Sequence, residues 1–149
     1  MFAKAASMEI PVVLLRFVIK KHASRYLHFD FRIEINDALI SFVIYEGPSV
    51  DPNLPRRAIR VDDHDPKYFD LERQIQEGHY GAGTVMVWDI GMLSARCKNP
   101  SKAIQEGRFE FVLSETRLRG KWVLVRVKGP KWQLIKIADE HHNLVTLMP

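Results

Sequence analysis

The sequence predicts a mainly β fold, a compact antiparallel β-barrel of about seven or eight strands with one or two short helices. Residues 27–35 alternate strictly between apolar and polar side chains, which is typical of a strand with one buried face. Further runs rich in β-branched and aromatic residues recur along the chain, separated by turn-forming residues. Connections this short favour antiparallel neighbours over crossover helices.

The expected strands can be placed in chain order. They fall at residues 12–20, 27–35, 38–45, 58–61, 84–90, 109–113, 121–128 and 131–138, with a short final strand at 143–148. Asn36-Asp37 breaks the alternating pattern, so a tight turn is expected between two of these strands.

Two short helices are expected between the strands. Asp65-Pro66 is a plausible helix start, because proline is favoured at the first helical position, and one or two turns are expected over 67–73. Residues 101–106 are expected to form a helix that Gly107 ends. We find no internal repeat, low-complexity run or linker, so residues 1–149 are predicted to form a single domain.

Composition narrows the class of protein. The chain has 149 residues and a net charge of +4, which permits a polyanionic partner without requiring one. Cys97 is the only cysteine, which excludes a disulfide framework or a cysteine-based metal cluster and is typical of a reducing compartment. No run approaches the roughly 20 apolar residues that a membrane helix needs. We therefore expect a cytoplasmic protein with no membrane partner.

The pattern His22-x5-His28-x-Asp30-x-Arg32 is the strongest candidate for chemistry. Two imidazoles and a carboxylate suit a divalent transition metal that keeps open positions, and these ligands permit Mn, Co, Zn or Fe. Side chains at period two share a strand face, so His28, Asp30 and Arg32 should lie side by side. His22 is expected to fold in from the loop that enters the strand. The alternative is an ordinary polar face turned toward water.

Several ordered motifs extend this pattern along the chain. They are residues 21–34, Gly47-Pro48-Ser49, Val61-Asp62-Asp63-His64, Tyr68, and residues 77–89, 118–126 and 132–136. Together they resemble the 3′-phosphoesterase domain of bacterial DNA ligase D. The resemblance runs from about residue 17 to residue 139.

The resemblance implies a compact β-barrel that binds manganese and heals the 3′ ends of DNA or primer strands. Such a domain removes a 3′ phosphate and can first excise a terminal ribonucleoside. His22, His28 and Asp30 would then be the metal ligands. Arg32 and His64 would contact the scissile phosphate, and Tyr68 would line the same pocket.

A further phosphate-binding arginine is also implied by the resemblance. It falls at Arg56 or Arg57, with Arg56 preferred. Glu46 stands where the family usually has a lysine before Gly-Pro-Ser, so an anion there would repel phosphate unless it points away. The segment before His22 is short in this sequence, and its 149 residues are not expected to include a polymerase or ligase domain. The expectation is a stand-alone domain that cooperates with a separate ligase or polymerase.

Two other functions compete with this interpretation. A ferrous oxygenase on a cupin-like barrel would also use two histidines and a carboxylate, with His64 as the distant ligand. A DNA-end-binding module that has lost catalysis would explain Glu46. The adjacent Arg32 and the ordered resemblance argue against the oxygenase. Retention of all three proposed ligands and of Arg32 argues against the non-catalytic module.

Overall fold

The computed structural model describes residues 10–79 and 82–139, and these residues are mainly strands. The strands are β1 (Val13–Ala23), β2 (Leu27–Ile35), β3 (Ala38–Ile44), β4 (Arg56–His64), β5 (Arg73–Ile75), β6 (Gly83–Ala95), β7 (Arg108–Leu113), β8 (Gly120–Lys128) and β9 (Lys131–Lys136). A 3-10 helix spans Pro66–Tyr68, and one α-helix, α1, spans Pro100–Glu106.

Eight of the strands form a closed antiparallel barrel. They pair in the order β1-β2-β3-β4-β9-β8-β7-β6, and β6 pairs back to β1 over its whole length. The short strand β5 pairs with β6 at the end that β7 does not reach. The predicted fold class is therefore confirmed.

The interior of the barrel is filled by apolar side chains from alternate strand positions. On β2 these are Phe31, Ile33 and Ile35, each 5% exposed or less, with Phe29 packed against them. Trp122 and Trp132 lie in the same core. The alternate polar residues of β2 point to the outside of the barrel. The candidate ligands therefore lie on the outer wall and not in the interior.

The outer wall of β1–β3 is not open to water along its whole length. The 3-10 helix leads into Phe69, which is 5% exposed and packs in a second small cluster with Val18 and Leu39. The guanidinium of Arg16 lies 4.0 Å from the Phe69 ring centre and also pairs with Glu34 at 2.8 Å. The 3-10 helix and Phe69 therefore cover one end of the polar face. We call this segment the overlay.

Several predicted boundaries were wrong in detail. Strand β1 continues past residue 20 to Ala23, and β4 starts earlier and ends later than predicted. The helix expected over 67–73 is one 3-10 turn, because the chain after Phe69 turns toward β6, where the Val87 N–H donates to Oε2 of Glu72 at 2.7 Å. Strand β5 was not predicted.

Other expectations fit the structure. Helix α1 begins at Pro100 and ends at Glu106, where Gly107 caps it with a left-handed φ of 87°. The Asn36-Asp37 turn has positive φ at both residues. The strand expected at 143–148 lies outside the described residues. Within the described ranges, no helix is long and apolar enough to cross a membrane.

Candidate metal and phosphate site

Two neighbouring strands bring the three predicted ligands together. His22 lies on β1 directly opposite His28 on β2, and Asp30 follows two residues later on the same face. The candidate ligand atoms of these three residues lie within 4.8 Å of one another. The prediction that His22 enters from a loop was wrong, because pairing with both β2 and β6 holds it in a strand.

The ring of His28 is oriented by the turn before it. Its Nδ1 lies 3.2 Å from the carbonyl oxygen of Tyr26, which can only accept, so Nδ1 carries the proton of the neutral ring. The other nitrogen, Nε2, lies 3.5 Å from Oδ1 of Asp30. When the His28 ring is neutral, the lone pair of its Nε2 faces the lone pairs of Oδ1 of Asp30. A shared cation between them would stabilise this arrangement, so the donor set fits a metal ion.

Arg32 continues the same strand face beside Asp30. Its side chain is 13% exposed, and its Nη2 lies 3.9 Å from Oδ2 of Asp30, too far for a hydrogen bond. Its Nε is buried with no hydrogen-bond partner among the described residues. Burial lowers the pKa of Arg32, and the nearby Asp30 opposes that shift. A buried guanidinium with an unsatisfied Nε among the described residues is well suited to bind an anion.

His64 lies at the end of β4 and reaches the polar face from the far side of β3. Its Nδ1 lies 3.0 Å from the hydroxyl of Ser41, and that hydroxyl donates to the Leu39 carbonyl at 2.9 Å. Ser41 is directly opposite Arg32 in the β2–β3 pairing. Burial is the main cause that lowers the pKa of His64, and Arg32 lowers it further.

Lys20 is a component of the site that the sequence did not reveal. It is 2% exposed, lies opposite Asp30, and its Nζ donates to the carbonyl oxygen of Tyr68 at 2.7 Å. Burial lowers the pKa of Lys20 to about 8. Had β1 been extended to His22, period two would have placed Lys20 on the ligand face.

Most of the side chains described above line a small cavity of about 270 Å³. It is lined by Lys20, His22, Asp30, Arg32, His64, Tyr68, Leu71, Arg73 and Val85. Tyr68 lines the cavity from the 3-10 helix that follows β4. Arg73 was missed because β5 is only three residues long, too short to show a period.

The arginines at the start of β4 lie elsewhere. Arg57 is exposed and pairs with Oε1 of Glu46 at 2.8 Å. Arg56 lies on the strand face of the buried Ala58, and neither arginine lines the small cavity. Glu46 also lies outside that cavity, so its carboxylate faces Arg57 and not the candidate phosphate site.

Comparison with known proteins assigns the sequence of this chain to a family. Residues 20–126 match the model of the DNA ligase D 3′-phosphoesterase domain. The chain is 39% identical over 130 residues to the multifunctional non-homologous end joining protein LigD of Pseudomonas aeruginosa, which is 85% of this chain and 15% of that protein. It is 31% identical over 129 residues to the LigD non-homologous end joining DNA repair protein of Mycobacterium tuberculosis H37Rv, covering 87% of this chain and 17% of the relative.

A third relative also matches most of this chain and a small part of its own length. The LigD protein of Mycolicibacterium smegmatis is 30% identical over 132 residues, covering 84% of this chain and 17% of its own length. The chain thus corresponds to less than one fifth of the length of these relatives. The matched region includes every candidate ligand and the candidate phosphate-binding residues Arg32 and His64. The chain belongs to the DNA ligase D 3′-phosphoesterase domain family.

Proposed function

We propose that this domain is a metal-dependent 3′-phosphoesterase that heals the ends of DNA or primer strands in non-homologous end joining. Its first activity would be removal of a 3′ phosphate to leave a 3′ hydroxyl. One observation carries the proposal: His22 and Asp30 of the three-ligand cluster line the same small cavity as Arg32, whose buried Nε has no hydrogen-bond partner among the described residues. The names of the relatives support the repair context.

His22, His28 and Asp30 would hold the metal, for which we propose Mn²⁺, with Co²⁺ or Zn²⁺ as alternatives the donors permit. When bound, such an ion supplies Lewis-acid polarisation of a phosphoryl oxygen and lowers the pKa of a coordinated water. The Nδ1–H of His28 on the Tyr26 carbonyl fixes the ring so that Nε2 is the ligand atom.

Arg32 would bind the non-bridging phosphate oxygens. Its guanidinium is held beside Asp30, and its buried Nε has no hydrogen-bond partner in the part of the chain that the structure describes. Phosphoryl transfer concentrates negative charge on those oxygens, so a fixed cation there stabilises the transition state. Lys20 adds a second buried positive charge in the same cavity.

His64 would hold a proton at Nε2 for the phosphate or the leaving oxygen. Ser41 has a single hydroxyl proton and gives it to Leu39, so Nδ1 of His64 must donate to Ser41. Nε2 is then the atom that gains and loses the catalytic proton. A phosphate bound beside it would favour the protonated form by its negative charge.

The proposal extends to two further residues and to a second activity. Tyr68 would line the phosphate pocket, while Arg56 as a phosphate ligand stays a prediction that its position on β4 does not strengthen. Removal of a terminal ribonucleoside would be a second activity on the same ends. A ligase and a polymerase would act on the healed end, from separate chains if the domain stands alone.

The two competing functions gain little from the structure. The family match favours a phosphoesterase over a ferrous oxygenase. Glu46, which favoured a non-catalytic module, is engaged by Arg57 outside the small cavity.

The test uses four labelled DNA strands annealed to a longer template. They end in a 3′ phosphate, a 3′ hydroxyl, a 5′ phosphate, or a single 3′ ribonucleotide. Purified protein is added with Mn²⁺, with Mg²⁺ or with EDTA. We expect Mn²⁺-dependent loss of the 3′ phosphate and no loss of the 5′ phosphate. Tight binding of the 3′-phosphate strand with no turnover in any metal would instead identify an end-binding module.

A further inference from the structure

A second, larger cavity adjoins the phosphate site and has a different character. It has a volume of about 790 Å³ and shares His22, Asp30, Arg32, His64 and Arg73 with the smaller one. Beyond these shared residues its wall includes Tyr45, Val43 and Val61. The shared residues form the boundary between a cationic compartment and a partly apolar one.

Tyr45 stands next to the metal-ligand cluster on the outer wall of the barrel. It directly follows β3, and its ring centre lies 6.3 Å from that of His28 with the planes inclined by 54°. The side chain is 48% exposed. Tyr45 does not fill the barrel core, so packing does not account for an aromatic residue at this position.

Two valines continue the apolar surface from Tyr45 toward the phosphate site. Val43 lies directly opposite Asp30 in the β2–β3 pairing, and Val61 lies opposite Ser41 in the β3–β4 pairing. Val61 is 36% exposed. A half-exposed ring beside two valines leaves apolar area in water that a flat ligand would cover.

The chemistry of the proposed substrate matches this pair of compartments. In a nucleotide, one sugar joins the phosphate to a flat aromatic base. A 3′ phosphate held by Arg32 and His64 must therefore place its own sugar and base in a neighbouring space. Stacking on an aromatic side chain is how proteins hold a base without reading its identity.

We propose that Tyr45, with Val43 and Val61 as the floor, binds the base of the terminal nucleotide whose 3′ phosphate lies in the small cavity. This inference rests on the proposed function and adds a substrate subsite to it. Because stacking accepts any base, the domain would act on 3′ ends regardless of sequence. It would discriminate against ends that have lost the terminal base.

The test compares two template-annealed strands that both end in a 3′ phosphate. One carries a normal terminal nucleotide and the other a stable abasic residue at that position. Affinity is measured by fluorescence anisotropy in EDTA, so that no turnover occurs, and hydrolysis is measured separately with Mn²⁺. The proteins are the wild type, Tyr45→Ala, Tyr45→Phe and, as a control on a distant strand, Val127→Ala, which is 62% exposed.

We expect wild-type protein to bind the normal end about tenfold more tightly than the abasic end, a typical effect of one stacked base. Tyr45→Ala should lose this difference, whereas Tyr45→Phe and Val127→Ala should keep it. In hydrolysis, Tyr45→Ala should raise KM on the normal end and leave kcat within about twofold.

Equal wild-type affinities for the two ends, or an unchanged preference in Tyr45→Ala, would overturn the subsite. Failure of the proposed function looks different, because the wild type would then hydrolyse neither 3′-phosphate strand with Mn²⁺. The binding preference in EDTA separates the two results, since it does not depend on turnover.

Discussion

The hydroxyl oxygen of Ser41 lies 3.0 Å from Nδ1 of His64, on the outer wall of the barrel. Since the same hydroxyl donates to the Leu39 carbonyl, it can only accept from the imidazole. This relationship fixes the tautomer of His64 and leaves Nε2 as its titrating atom. Ser41 on β3 thereby determines that Nε2 of His64, on the neighbouring strand β4, is the atom that would contact the phosphate.

The protonation of His64 should be visible in the stability of the protein. Burial, Arg32 and Lys20 lower the pKa of His64 below the ordinary value of 6.5, so the fold favours the neutral ring. Below pH 6.5 the unfolded chain binds more protons than the folded one, and stability falls as the pH drops toward the folded pKa. We expect the urea midpoint to fall less between pH 7 and pH 5 in His64→Gln than in the wild type, both in EDTA.

The other histidines contribute equally to the two proteins, so the difference isolates His64. A parallel decline of both midpoints would mean that His64 titrates alike in the folded and unfolded chains.

Lys20 should be required for activity but not for folding. Its buried ammonium faces Asp30 and donates to the Tyr68 carbonyl, and the lowering of its pKa to about 8 reports a cost of burying the charge. Lys20→Met keeps most of the apolar stem and removes the charge. We expect kcat/KM on a 3′-phosphate strand to fall at least about tenfold, and the unfolding midpoint to fall modestly because the Tyr68 carbonyl loses its donor.

Lys131→Met, at an exposed position on β9, is the matched control and should change neither quantity. A Lys20→Met enzyme with normal kcat/KM would remove Lys20 from the phosphate site.

Glu46 should have little influence on phosphate binding. Its carboxylate is engaged by exposed Arg57 and lines neither the small nor the large cavity. Exposed charges are screened over about 8–10 Å at ordinary salt concentrations. We expect Glu46→Lys to leave KM for a 3′-phosphate strand within about twofold, while Arg32→Gln raises it strongly. A several-fold decrease of KM in Glu46→Lys would show that the side chain reaches the phosphate.

Gly83 should be indispensable for the barrel wall that carries His22. A Cβ at Gly83 would lie 2.0 Å from the carbonyl oxygen of Ala23, and the φ of 136° is one that L side chains rarely adopt. Gly83→Ala must push β6 away from β1 next to the ligand strand. We expect a loss of several kcal/mol in the free energy of unfolding, measured by urea titration.

Gly78→Ala is the control for backbone strain alone. Gly78 has a φ of 90° but nothing within 4 Å of an added Cβ, so the change should cost only about 1 kcal/mol. Equal losses in the two variants would mean that contact with Ala23 is not the cause.

The sequence predicted best where one strand face is buried and the other is polar. The bounds of β2 match the predicted residues 27–35, because alternation marks every position of that strand. Prediction was weaker for β1, where the overlay buries Val18 at 0% exposure on the outer face as well. The apolar run then shows no period, and the polar Lys20, Lys21 and His22 look like a loop.

The same limits apply to the candidate site. His28, Asp30 and Arg32 could be grouped because they share one strand at period two. Lys20, Ser41 and Arg73 could not, because their positions depend on strand pairing and on the overlay that follows Asp65. Sequence alone also could not show that Glu46 faces Arg57, since that contact joins residues on both sides of a loop.

The central proposal is metal-dependent hydrolysis at the His22, His28 and Asp30 cluster. The most direct measurement is single-turnover release of phosphate from a 3′-phosphate DNA strand, by wild type and His28→Ala in parallel, with Mn²⁺ and with EDTA. We expect release by the wild type in Mn²⁺ only, and release by His28→Ala no faster than the EDTA background. Wild-type release in EDTA, or normal Mn²⁺-dependent release by His28→Ala, would contradict the proposal.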